Sequence, residues 1–235
     1  MAAMVQLNDL RVRRRGRDIL GPVTCTLADS GITLVLGPNG SGKTTLLRVL
    51  HGVERISSGT LSWAMPEAEA QKSQAYVFQR PIMLRRSVGQ NLAYPLQLQR
   101  LPRAEIAART QRWADRIGLR AAFDQPATRL SGGEMQKLAL ARALIRKPEV
   151  LFLDEPCTNL DGRATREIEE VLLEAHRTGT RIIMSTHDLG QARRLASDVV
   201  FMLRGRVHEQ TPGAAFFSGP DTPQARAFLQ GDIVE

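Results

Sequence analysis

The stretch Ile32-Thr-Leu-Val-Leu-Gly-Pro-Asn-Gly-Ser-Gly-Lys-Thr-Thr-Leu-Leu-Arg-Val-Leu-His-Gly52 decides the fold. Its first five residues predict a short buried strand, and residues 46–50 carry leucine and valine at helical spacing before Gly52. Between them, residues 37–44 match the pattern G-x-x-x-x-G-K-[S/T]. A strand, a glycine-rich loop and a helix in this order predict a loop that holds phosphate.

The residue types in this loop suit a nucleotide and its metal. The glycines let the backbone bend and turn its N–H groups toward phosphate oxygens, and the start of the helix adds partial positive charge. Lys43 can reach the β- and γ-phosphates, and the Thr44 hydroxyl can ligate Mg²⁺. The predicted nucleotide contacts are Gly37, Pro38, Asn39, Gly40, Ser41, Gly42, Lys43, Thr44 and Thr45. By itself, the loop indicates a nucleotide-binding protein.

A second apolar strand, Val150-Leu-Phe-Leu-Asp-Glu155, ends in two carboxylates. Strands of parallel sheets present ligands at their carboxyl ends. We expect Asp154 to hold Mg²⁺, directly or through water, and Glu155 to polarise the attacking water. Two acids after a strand are also common turn residues, so it is the phosphate loop upstream that favours the catalytic interpretation.

The order of elements predicts an α/β protein with a mostly parallel sheet. From residue 150 onward, apolar strands alternate with amphipathic helical stretches, and short helices are expected in the tail beyond Pro212. The segment 82–147 is instead rich in Arg, Ala, Gln and Leu and is helical by period. We predict one domain over residues 1–235, with an α/β catalytic core at 1–81 and 148–235 and a helical subdomain at 82–147.

Composition narrows the classes of function without choosing one. The chain has 235 residues and a formal charge of +8, which suits nucleic acid, anionic lipid or nucleotide phosphates. Its two cysteines, Cys25 and Cys157, form no CxxC pair, so neither a zinc site nor a disulfide framework is indicated. No apolar run approaches the ~18 residues needed to span a bilayer. A soluble or peripheral chain is therefore expected, and any membrane role must come through a partner.

The segment Leu130-Ser-Gly-Gly-Glu134 decides the class of protein. Ser131 and Glu134 fit the capping box of a helix, and a helix start aimed at phosphate is compatible with that role. With this segment, the chain resembles the ATP-binding subunits of ABC transporters over about residues 5–203. The other matching stretches are GPNGSGKTT at 37–45, Gln79 after AYVF, VLFLDEP at 150–156, NLD at 159–161 and STHD at 185–188.

The resemblance implies a P-loop NTPase core with an antiparallel N-terminal β subdomain and an inserted α-helical subdomain. It also implies that two copies bind two ATP molecules head to tail. Three residues of each chain, Ser131, Gly132 and Gly133, would contact the γ-phosphate held by the other copy, and Asp161 would report across the dimer.

The resemblance also assigns the catalytic residues within one chain. Gln79 would ligate Mg²⁺ and sense a transmembrane partner. His187 would contact the γ-phosphate and hold Glu155 and the water in place, although a lone histidine after a strand is more often structural. The expected catalytic set is Lys43, Gln79, Glu155 and His187, with Mg²⁺ on Thr44, Gln79 and Asp154. ATP and Mg²⁺ are the expected ligands.

Recognition of the adenine base departs from the family pattern. Most members place an aromatic residue near position 14, where this chain has the basic run Arg11-Val-Arg-Arg-Arg-Gly-Arg17. An arginine guanidinium can stack on a base, so Arg14 is the predicted adenine contact. A solvated basic hairpin explains the run as well, and the preference for ATP over GTP stays open.

The resemblance extends to partners and location. It implies a homodimer on ATP binding, integral-membrane permease subunits that dock near Gln79–Arg86, an extracytoplasmic solute-binding protein, and a place on the cytoplasmic face of the cell membrane. The expected function is to power import of a small solute, and residues 223–234 resemble the ATPases of tungstate and related oxyanion importers.

Two alternatives to this function stay open. Some exporters share the same layout. An ABC ATPase acting on nucleic acid or the ribosome would also suit the +8 charge. The single cassette and the short insertion count against that second alternative, and no nucleic-acid partner is expected.

Overall fold

The computed structural model describes residues 3–234, which form two sheets with helices around them. The strands are β1 (Ala3–Arg14), β2 (Arg17–Ala28), β3 (Ile32–Leu36), β4 (Ser58–Trp63), β5 (Gln74–Val77), β6 (Val150–Asp154), β7 (Arg181–Ser185), β8 (Asp198–Leu203) and β9 (Arg206–Pro212). The helices are α1 (Lys43–Leu50), α2 (Glu67–Ser73), α3 (Val88–Leu98), α4 (Arg103–Arg116), α5 (Gly132–Leu144), α6 (Gly162–Arg177), α7 (Leu189–Leu195), α8 (Gly213–Ser218) and α9 (Pro223–Gln230).

The larger sheet has the strand order β5-β6-β7-β3-β8-β9. All its pairings are parallel except β8 with β9. Every residue of β3, β6 and β7 is buried, which is typical of strands covered on both faces. The predicted α/β class with a mostly parallel sheet is confirmed. Because β6, β7 and β3 are neighbours, the loops that follow them meet at one edge.

The smaller sheet is antiparallel, with the order β2-β1-β4. Its apolar face packs with α1 and with one face of the larger sheet, so Leu46 and Leu47 are buried between the two sheets. The β1–β2 hairpin turns at Arg15 and Gly16, both with positive φ, as a two-residue hairpin turn requires. The hairpin is longer than the predicted strands because residues 13–14 and 17–20 also pair.

Residues 88–144 contain α3, α4 and α5, which share a core of their own built around Leu92, Leu96 and Leu138. The exact boundaries at 82 and 147 stay a prediction. The helices α6 and α7 lie on the face of the larger sheet that is opposite α1, where they cover residues such as Leu153 and Met184.

The tail agrees with its prediction in part. The short helices expected beyond Pro212 are present as α8 and α9, but the strand β9 at residues 206–212, which precedes them, was not predicted. The elements β4 and α2 were not predicted either. Within residues 3–234, each helix is either too short or too polar to cross a membrane.

Candidate nucleotide-binding and catalytic site

The phosphate loop lies between the end of β3 and the start of α1. Gly37 has φ 145°, and a Cβ atom there would lie 2.1 Å from the carbonyl oxygen of Met202. Gly42, with φ 100°, is the residue before the first turn of α1. Both positions therefore require glycine, and glycines in such a loop allow successive N–H groups to form a cradle for an anion.

Lys43 is buried at the floor of this cradle, with 6% of its surface exposed. Its Nζ donates to the carbonyl oxygens of Gly37 at 2.9 Å and Pro38 at 3.1 Å, and lies 3.9 Å from Glu155 Oε1. Burial lowers the pKa of Lys43, while Glu155 and Asp154 act in the opposite direction. A buried ammonium group surrounded by backbone amides can form strong, charge-assisted hydrogen bonds with a phosphate.

Two further observations fit a nucleotide with a hard metal ion. The buried Oγ of Ser41, in the phosphate loop, has no hydrogen-bond partner among residues 3–234, and an unpaired buried hydroxyl is what a ligand in the loop could satisfy. At the end of β6, Asp154 Oδ1 accepts from Thr44 Oγ1 and from Ser185 Oγ, both at 2.9 Å. Together with the amide of Gln79, these are the oxygen donors that Mg²⁺ prefers.

Glu155 has an unusual backbone and a crowded carboxylate. Its φ is 46°, and its N–H donates to the Ser185 carbonyl and hydroxyl oxygens, each at 3.1 Å. Its Oε2 accepts from Gln79 Nε2 and Thr158 Oγ1 at 3.1 Å, and His187 Nδ1 lies at the same distance. A non-glycine residue in this conformation is typical of functional sites.

A cavity of about 740 Å³ joins these groups. The predicted residues around it are Arg14, Asn39, Gly40, Gly42, Lys43, Thr44, Thr45, Gln79, Glu155 and His187. Arg14 thus borders the same cavity as the phosphate loop, and its guanidinium is ion-paired with Glu54. Asp154 is buried below, in contact with Thr44.

Two lining residues, Ile19 and Thr158, were not predicted. Ile19 belongs to the β1–β2 hairpin, which only the fold brings to the loop. Thr158 lies three residues after Glu155. A hydroxyl at this spacing can reach back across a turn, so the sequence could have indicated Thr158 as a neighbour of the carboxylate.

The predicted trans contacts lie elsewhere. Among the described residues, the lining of this cavity includes neither Ser131, Gly132 and Gly133 nor Asp161. Ser131 instead begins α5 in the predicted capping box with Glu134, and Asp161 caps α6 by accepting from Ala164 N at 2.7 Å. The Ser131 hydroxyl and N–H lower the pKa of Glu134. One chain therefore has a phosphate loop and, apart from it, the exposed N-terminus of α5.

A second cavity, of about 680 Å³, lies between the larger sheet and α3; we call it the lateral groove. Its floor and rim include the exposed apolar side chains of Phe78, Ile82, Tyr94 and Leu98. Pro81, Ile82 and Leu84 come from the predicted docking segment. No aspartate or glutamate lines it among the described residues, whereas Arg142 and Arg146 do. His51, the C-cap residue that directly follows α1, also lines this groove.

The fold and the site define an ATP-binding protein of the P-loop class. The family model for ABC transporters matches residues 20–158, and the chain belongs to that family. It is an ATP-binding subunit whose ATP hydrolysis is coupled to transport.

The chain is similar to import proteins of different substrates. It is 36% identical over 237 residues to a phosphate import ATP-binding protein, PstB 2 of Natronomonas pharaonis, covering 93% of this chain and 84% of that protein. It is 35% identical over 207 residues to the tungstate uptake ATP-binding protein TupC of Peptoclostridium acidaminophilum, covering 87% and 97%. A solved structure of CbiO1 from Clostridium perfringens, part of an ABC transporter complex, superposes with a TM-score of 0.83 at 28% identity, covering 98% and 96%.

Proposed function

We propose that this ATPase subunit powers the import of a small oxyanion across a cell membrane. The observation that carries the enzymatic part is the single cavity in which the phosphate loop, Lys43 and the Glu155 carboxylate meet. The oxyanion is supported by the phosphate and tungstate relatives, although these differ in cargo. Tungstate itself is the narrower form of the proposal. Ligand binding by the partner solute-binding protein, measured by calorimetry with tungstate, molybdate and phosphate, decides the cargo.

Each residue of the site has a separate task in hydrolysis. The loop amides and Lys43 bind the β- and γ-phosphates, for which Lys43 Nζ must leave the carbonyls of Gly37 and Pro38. Thr44, Asp154 and Gln79 would hold Mg²⁺, which would neutralise part of the phosphate charge. Glu155 orients the water that attacks the γ-phosphorus while the bond to the β–γ bridging oxygen breaks. His187 keeps that carboxylate in place.

Closure of two chains completes the site. The cradle of one chain lacks the donors that Ser131–Gly133 would add, and these residues form the free start of a helix of 13 residues. N–H groups at such a start favour negative charge. A head-to-tail dimer brings this helix start to the γ-phosphate of the other chain, with Asp161 at the same interface, and ATP holds the two chains together.

The lateral groove is the proposed docking site for the permease. It exposes apolar side chains and is edged by arginines, which suits a short amphipathic segment of a membrane partner. Docking there would hold the ATPase at the cytoplasmic face of the membrane. An extracytoplasmic solute-binding protein completes the proposed importer.

The decisive experiment is Glu155→Gln. This change keeps the size and most hydrogen bonds of the side chain but removes its charge, so ATP binding should persist. We expect hydrolysis to fall by at least about a hundredfold, as for loss of a general base, and a stable ATP-bound dimer to accumulate. ATP hydrolysis and size-exclusion chromatography with light scattering measure the two effects.

The matched control is Glu149→Gln, an exposed acid just before the same strand. It should leave both measurements unchanged. Undiminished hydrolysis by Glu155→Gln would refute the role given to Glu155.

A further inference from the structure

The two oxygens of the Glu155 carboxylate have different surroundings. Three donors meet at Oε2, from Gln79, Thr158 and His187, each at 3.1 Å. Oε1 lies instead 3.9 Å from Lys43 Nζ, on the side of the phosphate loop. An oxygen with three hydrogen bonds has used its capacity to accept, so Oε1 is the atom that can receive a proton from water.

Thr158 differs from the other two donors in where it comes from. Gln79 follows β5 and His187 follows β7, and both are exposed side chains with predicted partners on the nucleotide or metal. Thr158 lies in the same loop as Glu155 and is partly buried. Its N–H also donates to the Glu155 carbonyl at 3.3 Å, so backbone and side chain both close one turn around the carboxylate. Of the three donors, Thr158 is thus the one nearest to Glu155 along the chain.

The loop that contains this turn has a backbone that needs outside support. Glu155 has φ 46° and Asn159 has φ 63°, so two non-glycine residues adopt the left-handed region on either side of Thr158. Such conformations persist only where contacts hold them. The loop then ends at Asp161, whose carboxylate caps α6. The Thr158 hydroxyl is one such contact, because it joins this loop to the Glu155 carboxylate.

We propose that Thr158 is a second positioning residue, which acts beside His187 to set the direction of the Glu155 carboxylate. Its hydroxyl fixes Oε2, which leaves Oε1 directed to the attacking water. The inference deepens the proposed function and rests on the role given there to Glu155.

The test is Thr158→Val, which replaces the hydroxyl by a methyl group of similar size. Because a hydrogen bond to a charged group is lost, we expect kcat for ATP hydrolysis to fall about tenfold, with KM for ATP changed less than about twofold. Thr158→Ser keeps the hydroxyl and should restore most of kcat. If the valine variant folds poorly, Thr158→Ala replaces it in the same comparison.

A matched control comes from the other end of α6. The Thr178 hydroxyl donates to the backbone carbonyls of Glu174 and Ala175, not to a carboxylate. Thr178→Val should keep the kcat of the unaltered protein. Equal melting temperatures of the two valine variants exclude a general loss of structure as the cause.

The double variant Glu155→Gln with Thr158→Val separates the inference from the proposed function. If the hydroxyl acts through the carboxylate, adding Thr158→Val to Glu155→Gln lowers the single-turnover rate by less than about twofold, since coupled sites are not additive. A further tenfold loss overturns the inference, and so does a wild-type kcat for Thr158→Val when Glu155→Gln is inactive. Normal hydrolysis by Glu155→Gln alone would instead overturn the proposed function.

Discussion

Arg14 is the residue through which we propose that the base of the nucleotide is recognised. It borders the cavity of the phosphate loop, more than half of its side chain is exposed, and its guanidinium is ion-paired with Glu54, which is 14% exposed. The pair holds the planar group in one orientation at the mouth of the cavity. A fixed guanidinium can stack on a purine, but it offers no hydrogen-bond pattern that selects adenine.

Arg14→Ala should therefore weaken binding without slowing chemistry. We expect KM to rise about fivefold, the equivalent of about 1 kcal/mol of stacking, for ATP and GTP alike, with kcat unchanged. Steady-state hydrolysis of both nucleotides measures this. Arg13→Ala is the control, because Arg13 is ion-paired with Asp18 at 2.8 Å and does not line the cavity. An unchanged KM for Arg14→Ala, or an equal effect of Arg13→Ala, would contradict the stacking role.

At the scale of elements, two helices begin in the same way. Ser87 caps α3 in a box with Gln90, and Ser131 caps α5 in a box with Glu134. Each serine oxygen accepts from the backbone N–H three residues on, so the structural contribution of the two is alike. Only the start of α5 carries the glycine pair that we propose to meet phosphate.

The comparison of Ser131→Ala with Ser87→Ala separates capping from function. Each change should lower the free energy of unfolding by about 1 kcal/mol, the usual cost of a lost cap. Only Ser131→Ala should also weaken the ATP-bound dimer of the Glu155→Gln protein. Chemical denaturation and light scattering measure the two effects, and equal dimer affinities would leave Ser131 with the structural role alone.

The pH dependence of the α5 cap has a definite sign. The pKa of Glu134 is lowered in the folded protein by its bonds to Ser131. The ionised Glu134 carboxylate therefore contributes fully to the free energy of unfolding above its ordinary pKa. This contribution is lost as the pH falls through the lowered pKa of the folded protein.

The sequence predicts the strands and helices whose side chains follow one clear period. β3, β6 and β7 are buried along their whole length and mostly apolar, because both of their faces are covered. β4 and β9 were not recognised because they are edge strands with exposed polar residues, so hydrophobic alternation is weak. Their pairing is decided by neighbours distant in the chain, which no local pattern reports.

The site shows the same division between local and distant information. Lys43, Thr44, Asp154 and Glu155 were predicted to act together, and the structure brings them to one cavity edge. Their chemical roles stay predictions. Ile19 was missed because its place in the site depends on how the hairpin folds back over the loop.

At the scale of the whole molecule, we propose that one chain contains two half-sites rather than one complete site. The phosphate loop and the start of α5 belong to one chain, yet only the former lines the cavity. A chain defective in one half should therefore be complemented by a chain defective in the other. Gly132 is suited to this test because a Cβ atom there meets nothing within 4 Å, so a side chain can be added without distorting the helix.

In the Glu155→Gln protein, we expect neither Lys43→Ala nor Gly132→Asp alone to form an ATP-bound dimer. A mixture of the two variants can form one intact site. The intact phosphate loop of the Gly132→Asp chain then faces the intact α5 start of the Lys43→Ala chain. A heterodimer retaining one ATP should appear, and native mass spectrometry counts chains and nucleotides. An ATP-bound dimer of either variant alone would show that each chain holds a complete site.

The helix α1 has a consequence for inhibition. It begins at Lys43 in the nucleotide cavity and leads to His51 in the lateral groove, a distance of about 12 Å along a helix of this length. Because α1 is packed between two sheets, we predict that a ligand that displaces one end of the helix also displaces the other. A small apolar molecule lodged beside His51 could thus stop the enzyme without resembling a nucleotide, and cellular ATP, however abundant, would not displace it.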